Sequence, residues 1–401
     1  MKKVVITGVT GFRNRGVEAL VTTISEQILK NQSDIEIHIQ TDSSDYDAIR
    51  LPQKNIHFFQ RLPNTLLKRG INRLSKFYLP LSPLYHHFQD ASLLIATGGD
   101  VYTSDYPKTL DIYLPPIQLA LHAKVPVMFL GQSISFKSDE MAQKWLTVAH
   151  SSRYISVREY ISYNYLTKNL GLSPDKVKHT ADPAFLLNPL SKDKVNNLLQ
   201  SYGINSNLPL VAIAPSQGIS RFAGEERDKH LQSWIKIVDL ILNELNAQVI
   251  VIPHVQEIGA GNDDRILATD IHRNLNYDSR VHLISGDHTA SEFKGLIASS
   301  EFLIAERMHA AIAGLSSSVC TFVVGYSVKA EGITTDMLDK EWIDKGIVIP
   351  FNQFLDADFA WQKIKYIWEN RKMVSEKLQT VSPSIKQLAA SNFDLIAEIL
   401  K

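Results

Sequence analysis

Cysteine is nearly absent from this 401-residue chain. The single residue, Cys320, excludes an intrachain disulfide framework and any metal centre built on several thiolates, and it fits a reducing compartment. No apolar run approaches the roughly 18 residues that a membrane-spanning helix needs. The opening run, Val4-Val5-Ile6 after Lys2-Lys3, is too short for a secretion signal. A cytoplasmic protein is expected. Net charge is absent too: 42 basic residues balance 42 acidic ones, so overall electrostatics give no support for a nucleic-acid partner, and an anionic partner must be met by a local patch. No residue spacing marks a metal site. One local absence stands out. From Leu51 to Gln89 there is no acidic residue, while Lys54, Arg61, Lys68, Arg69, Arg73 and Lys76 alternate with Phe58, Phe59, Leu66, Phe77 and Tyr78. Basic and apolar side chains together suit an anionic membrane surface or a lipid diphosphate; an ordinary basic helix with one buried face has the same composition.

What is present is a soluble composition, 44% hydrophobic and 21% charged, long enough for two domains. Short β-branched runs alternate with amphipathic stretches. Val4–Thr7, Ile35–Ile39, Leu93–Ala96, Val127–Leu130 and Tyr154–Val157 read as strands, and after a turn-rich interval the alternation resumes with Leu210–Ala214, Gln248–Ile252, His282–Ser285, Phe302–Ala305 and Val319–Val323. This βαβ pattern predicts parallel sheets covered by helices. It divides the chain into an N-terminal Rossmann-like domain over 1–190, a linker over 191–208 and a second Rossmann-like domain over 209–375. A helical tail over 376–401, broken at Ser382-Pro383, is placed back on the first domain.

Ligands of open α/β sheets bind beyond the carboxyl ends of the strands, so the residues just past each strand are the candidates. The loop with Gly8, Gly11, Asn14 and Gly16 resembles a dinucleotide fingerprint but puts Asn14 where the third glycine belongs, and no tyrosine is followed by a lysine four residues on, as short-chain dehydrogenases require. Gly98-Gly99-Asp100 allows a ligand or a facing backbone to approach closely. Gly131-Gln132-Ser133 follows the same logic, and Asp182-Pro183 reads as a turn. His254 reads either as a cleft histidine or as a satisfied loop histidine. Asp263 and Asp264 could be paired carboxylates, but adjacent residues on a helix do not share a face, and Asp263 reads as charge at a helix start. The strongest constellation is Glu306-Arg307-Met308-His309, fed by the strand Phe302–Ala305 and followed by small residues. Cations in a first helical turn oppose the helix dipole, which points to a ligand that compensates. Arg offers a planar fork to carboxylate or phosphate, and an imidazole can move protons near neutrality. A buried polar network between domains would use the same residues. Arg158 echoes Arg307, each standing just past a strand.

In order and spacing these pieces resemble the polysaccharide pyruvyl transferases. The matching segments are Gly8…Gly11…Asn14…Gly16 with Glu18-Ala19, Gly98-Gly99, Gly131-Gln132, Ser156-Val157-Arg158-Glu159, Asp182-Pro183-Ala184, Arg307-Met308-His309-Ala310 and Gly325-Tyr326-Ser327-Val328-Lys329. Met308 stands where the family often has Leu, and Ser316-Ser317-Ser318 where a Gly/Pro turn is common. The resemblance implies an α/β, GT-B-like fold with two Rossmann-like domains facing a cleft. It implies phosphoenolpyruvate as donor substrate, no cofactor and no metal. The acceptor would be a hydroxyl pair of a capsular or exopolysaccharide glycan, free or undecaprenyl-diphosphate-linked, met at the inner face of the membrane through 51–89. By the same resemblance Arg307 and His309 are catalytic, and Arg158, Arg307, Lys329, Gly98 and Gly99 bind the donor. Asn14, Asp100, Gln132 and His254 are the candidates for the acceptor. A nucleotide-sugar glycosyltransferase and a non-catalytic glycan- or lipid-binding relative share the architecture and stay open as alternatives.

Overall fold

The computed structural model describes residues 2–32, 34–61, 82, 84–104, 109–204, 207–222, 226–259, 261–326 and 328–401. Of the segment 51–89 expected to face lipid, residues 62–81 and 83 lie outside the described residues, while Ile56–Gln60 is a strand of the first sheet and Phe58 packs on Phe12. The chain divides into two compact units. The first holds Met1–Phe12, Leu20–Pro183 and Lys386–Lys401; the second holds Arg13–Ala19 and Ala184–Ile385.

Among the described residues, the first unit carries a seven-stranded sheet, β1 (Lys2–Thr7), β2 (Ile35–Thr41), β3 (Ile56–Gln60), β4 (Leu93–Ala96), β5 (Val127–Gln132), β6 (Tyr154–Val157) and β7 (Val177–His179), in the order β3-β2-β1-β4-β5-β6-β7. The second carries a six-stranded sheet, β8 (Leu210–Ala214), β9 (Gln248–Val251), β10 (Val281–Leu283), β11 (Phe302–Ala305), β12 (Cys320–Gly325) and β13 (Val348–Pro350), in the order β10-β9-β8-β11-β12-β13. Every pairing is parallel. Both orders reverse direction once, between β1 and β4 and between β8 and β11, the doubly wound pattern whose reversal point is the usual ligand crevice. The central strands read Leu-Leu-Ile-Ala, Leu-Val-Ala-Ile-Ala and Phe-Leu-Ile-Ala and are buried throughout. Continuous apolar runs of this kind arise because helices cover both faces of a parallel sheet.

Three strands escape the apolar pattern. Among the described residues, β3, β7 and β13 are the last strands of their sheets; His57 and Gln60 interrupt β3, Lys178 and His179 interrupt β7, and β13, though apolar, has only three residues. Two expectations about the chain's organisation need correction. The short helix expected between the turn-rich ends of this stretch is Lys192–Ser201, but it lies inside the second unit, so 191–208 is not a linker. Val195 of that helix is buried against Gly295, and Lys294 Nζ donates to Leu187 O at 2.7 Å, which fastens the preceding segment to helix Ala290–Ala298. The turn residues that suggested a linker are the ends of this helix. Helix Arg371–Ile399 also runs on through Pro383 instead of breaking there. The chain's last residues, 386–401, belong to the first unit, where Asn392 accepts from Ser156 Oγ at 2.6 Å and Thr180 Oγ1 at 3.1 Å and donates to Ala181 O at 3.0 Å. Among the described residues no helix is long and apolar enough to cross a membrane.

Candidate active site

In the second unit, β11 ends at Ala305 and the chain turns through Glu306 and Arg307 into helix Met308–Ser316. Glu306 is buried and anchors the turn. Its carboxylate accepts from Ser216 N at 2.6 Å and Trp234 Nε1 at 3.0 Å and meets His230 Nε2 at 2.7 Å. Arg307 is not in the helix's first turn, as the sequence pattern suggests. It is the N-cap, with extended backbone (φ −94°, ψ 119°), and this releases its side chain to reach helix Asp264–Asn274. There Asp264 takes its fork on two oxygens: Arg307 Nε to Oδ2 at 2.9 Å and Nη2 to Oδ1 at 2.5 Å, with Nη2 also donating to Asn262 Oδ1 at 3.0 Å. The same carboxylate accepts the backbone N–H of Gln217 at 2.9 Å and of Val255 at 2.8 Å. Asp264 is completely buried; burial raises its pKa, against the opposing pull of Arg307 and these donors. The result is a guanidinium with its plane fixed by charge-assisted bonds on one edge and its side chain 18% exposed.

The segment 13–19 joins this cluster. Asn14 and Val255 form an antiparallel bridge, with Arg15 N donating to His254 O at 3.1 Å and Gln256 N to Arg13 O at 2.8 Å. Arg15 is buried and held by Glu18 at 3.3 Å, Gln256 at 3.0 Å and Asp287 at 2.5 Å. Asn14 Oδ1 accepts from Gly16 N at 3.1 Å. Gly16 has no side chain for a steric reason: a Cβ there would collide with the imidazole of His309. The glycine that spoils the dinucleotide spacing is therefore the one that lets His309 lie on the start of helix Arg15–Asn31.

His254 is buried beside them, and its pKa falls well below the ordinary histidine value, first through burial and then through the charges of His309, Arg307 and Arg15. The sign of the linkage follows. Folded His254 stays neutral where unfolded His254 takes a proton, so the folded state loses stability as pH falls below about 6.5, by up to roughly 1.4 kcal/mol per pH unit, until the folded group titrates. His254→Gln should remove that share of the slope. Denaturant midpoints of both proteins between pH 8 and pH 5.5 test this; parallel curves would mean that His254 does not carry it.

Lys329, near the start of helix Val328–Asp344, is also buried in this unit. Its Nζ donates to Tyr326 OH at 2.9 Å and lies 4.6 Å from that ring's centre.

The first unit holds the other candidates. Arg158 follows β6, and its side chain is 1% exposed. Nη1 donates to Asp182 Oδ2 at 2.6 Å and Nε to Ser133 Oγ at 2.7 Å. Burial alone would lower its pKa, but Asp182, Asp100 and Glu159 outweigh this and raise it. Asp182, which reads as a turn residue, is thus the ion partner of Arg158. Gly99 lies against the guanidinium, with room for no Cβ. Gly98 adopts φ +108° with its Cα facing Gly8 O, so the close approach that the glycine pair permits is filled, at Gly98, by backbone. Asp100 N donates to Gly98 O at 2.8 Å. Gln132 is fully buried as the last residue of β5 and donates to Ala96 O at 3.1 Å and Leu130 O at 2.8 Å.

The second unit therefore gathers Arg307, His309, His254 and Asn14 in one cluster and also contains Lys329, while Arg158, Gly98, Gly99, Asp100 and Gln132 lie in the first. Reasoning from the sequence missed Asp264, Arg15, Asn262 and the Glu306–His230–Trp234 network. The available signal for Asp264 was a carboxylate at a helix start, which also fits ordinary dipole compensation.

A family model described as polysaccharide pyruvyl transferase matches residues 13–328. No curated protein sequence matches the chain significantly. Among solved structures, a glycosyltransferase from Rickettsia africae is similar at TM-score 0.61 and 12% identity over 100% of this chain and 99% of that one. A putative UDP-N-acetylglucosamine 2-epimerase from Listeria monocytogenes is similar at TM-score 0.64 and 13% identity over 97% and 94%. A UDP-GlcNAc 2-epimerase from Neisseria meningitidis, bound to UDP-GlcNAc, is similar at TM-score 0.63 and 14% identity over 99% and 100%. At these identities the likeness establishes the fold, a GT-B-like pair of parallel-sheet α/β domains.

Proposed function

The chain belongs to the polysaccharide pyruvyl transferase family, and we propose that it takes the pyruvyl group from phosphoenolpyruvate and closes it as a ketal on two hydroxyls of a glycan, releasing phosphate. The observation that carries this reading is the Arg307 fork held by Asp264 with His309 two residues on, next to a strand's carboxyl end. Phosphoenolpyruvate presents a carboxylate and a phosphate close together and needs convergent cations. Arg307 anchors it, with Lys329 and Arg158 as further donor contacts. His309 gives a proton to the methylene carbon, and C2 becomes an oxocarbenium-like electrophile. One sugar hydroxyl adds to C2 and gives up its proton. The phosphate then leaves with a proton, and the second hydroxyl closes the ring and gives up its own, so the two hydroxyl protons replace the one His309 placed on the methyl carbon and the one carried off on phosphate. On this reading the acceptor contacts are assigned to Asn14 and His254, beside His309, and to Asp100 and Gln132. The basic and apolar composition of 51–89 supports an acceptor carried on a lipid diphosphate at the inner face of the membrane, as in capsule or exopolysaccharide assembly.

Phosphoenolpyruvate is expected to raise the melting temperature. At a hundredfold excess over Kd the stabilisation is about 2.7 kcal/mol, and Arg307→Ala should abolish the shift. A protein that ignores phosphoenolpyruvate, releases no phosphate with any glycan acceptor and is stabilised by UDP- or GDP-sugars would be a glycosyltransferase instead.

A further inference from the structure

Away from the side chains assigned to donor, acceptor and proton transfer, β2 and β3 bring together three side chains that no sequence spacing marks, one of them, His57, within the segment 51–89. Ile35, Ile37 and Ile39 face the core with no exposure, so Glu36 and His38 share the opposite face of β2. His57 on β3 is the register partner of His38. The two imidazoles lie 4.9 Å apart between ring centres, tilted by 43°, and Glu36 Oε2 is 3.7 Å from His38 Nε2. One ligand atom from each of Glu36, His38 and His57 lies within 4.8 Å of the other two. His38 Nε2 is buried and makes no hydrogen bond. The nearest competing cation, Lys3, neighbours Glu36 in the sheet register but is bound to Asp90 at 2.7 Å.

We propose that Glu36, His38 and His57 form a site for a divalent transition metal, zinc being the best match. Two imidazoles and one carboxylate are borderline ligands that suit zinc, cobalt, nickel or copper and disfavour magnesium and calcium. Ligand atoms about 3.3 Å apart surround a tetrahedral zinc whose bonds are about 2.0–2.1 Å; from 4.8 Å, rotamer adjustment of the exposed His57 closes the remaining gap. Three protein ligands leave a fourth position for water. The metal would cross-link β3, an edge strand, to β2. The site is built on strand interiors, so it is independent of the transfer chemistry proposed above.

The test uses the full chain without a histidine tag, stripped with chelator. Zinc titration by calorimetry should give one site per chain, cobalt should develop a visible d–d spectrum displaced by zinc, and saturating zinc should raise Tm by about 3 °C. His57→Ala, at an exposed position, should keep its fold in chelator, weaken zinc at least about thirtyfold and abolish the cobalt spectrum. Glu36→Gln should weaken zinc less, and His150→Ala, at an exposed histidine elsewhere, should bind as the unaltered chain does. No zinc binding at micromolar concentration by the unaltered chain, or an unchanged isotherm in His57→Ala, overturns the proposal.

Discussion

His309→Ala is expected to cut the turnover of pyruvyl transfer by about 10²–10⁴-fold, the usual weight of a positioned general acid or base, while leaving donor affinity within a few-fold. The division follows from the geometry. Anchoring belongs to Arg307, whose orientation is set by Asp264 and Asn262, neither of which touches His309 in this network. The imidazole packs on Gly16, where a Cβ would collide with it, so truncation to alanine introduces no clash there. Steady-state phosphate release gives the turnover, and calorimetry with phosphoenolpyruvate gives the affinity. A variant that keeps turnover within threefold would remove His309 from proton transfer. One that loses turnover and donor binding together would make it an anchor.

Much of the fold was legible because the central strands are apolar on both faces. Leu93–Ala96, Tyr154–Val157, Leu210–Ala214 and Phe302–Ala305 are found with the bounds their sequence suggests. Edge strands such as Val177–His179 were hidden because solvent on one flank relaxes the pattern that burial imposes. At the site, the residue types of Arg307 and His309 announced themselves by standing past a strand in an electrostatically awkward position. Their partners did not. Asp264 is 43 residues from Arg307 in sequence, and a carboxylate at a helix start has a sufficient local explanation. Gly16 looked like a failed dinucleotide glycine, because its reason, the ring of His309, lies at the other end of the matched region. Long-range pairing of this kind is set by sheet order and leaves no periodic trace.

Asp264→Ala should be the most damaging single change at the site. The carboxylate is fully buried and accepts four hydrogen bonds, two from Arg307 and one each from the N–H groups of Gln217 and Val255. Alanine leaves those two amides without this acceptor and deprives Arg307 of its charge partner, and breaking a buried pair from one side costs about 3–5 kcal/mol. Asp264→Asn does not restore the arrangement: an amide offers one accepting oxygen where two are needed, and its NH₂ must face a donor. Both variants should therefore lower Tm by several degrees or more and weaken phosphoenolpyruvate binding, alanine more than asparagine. The ion pair makes a sharper claim on the double variant. In Arg307→Met/Asp264→Leu no charge is left alone in the interior, so the loss of stability should be smaller than the sum of the two single losses by 1 kcal/mol or more, on the order of the coupling seen between residues in contact. Urea unfolding of the four proteins completes the cycle. Additive losses would mean that Asp264 is present for the Gln217 and Val255 amides alone, and that Arg307 is oriented by something other than its carboxylate.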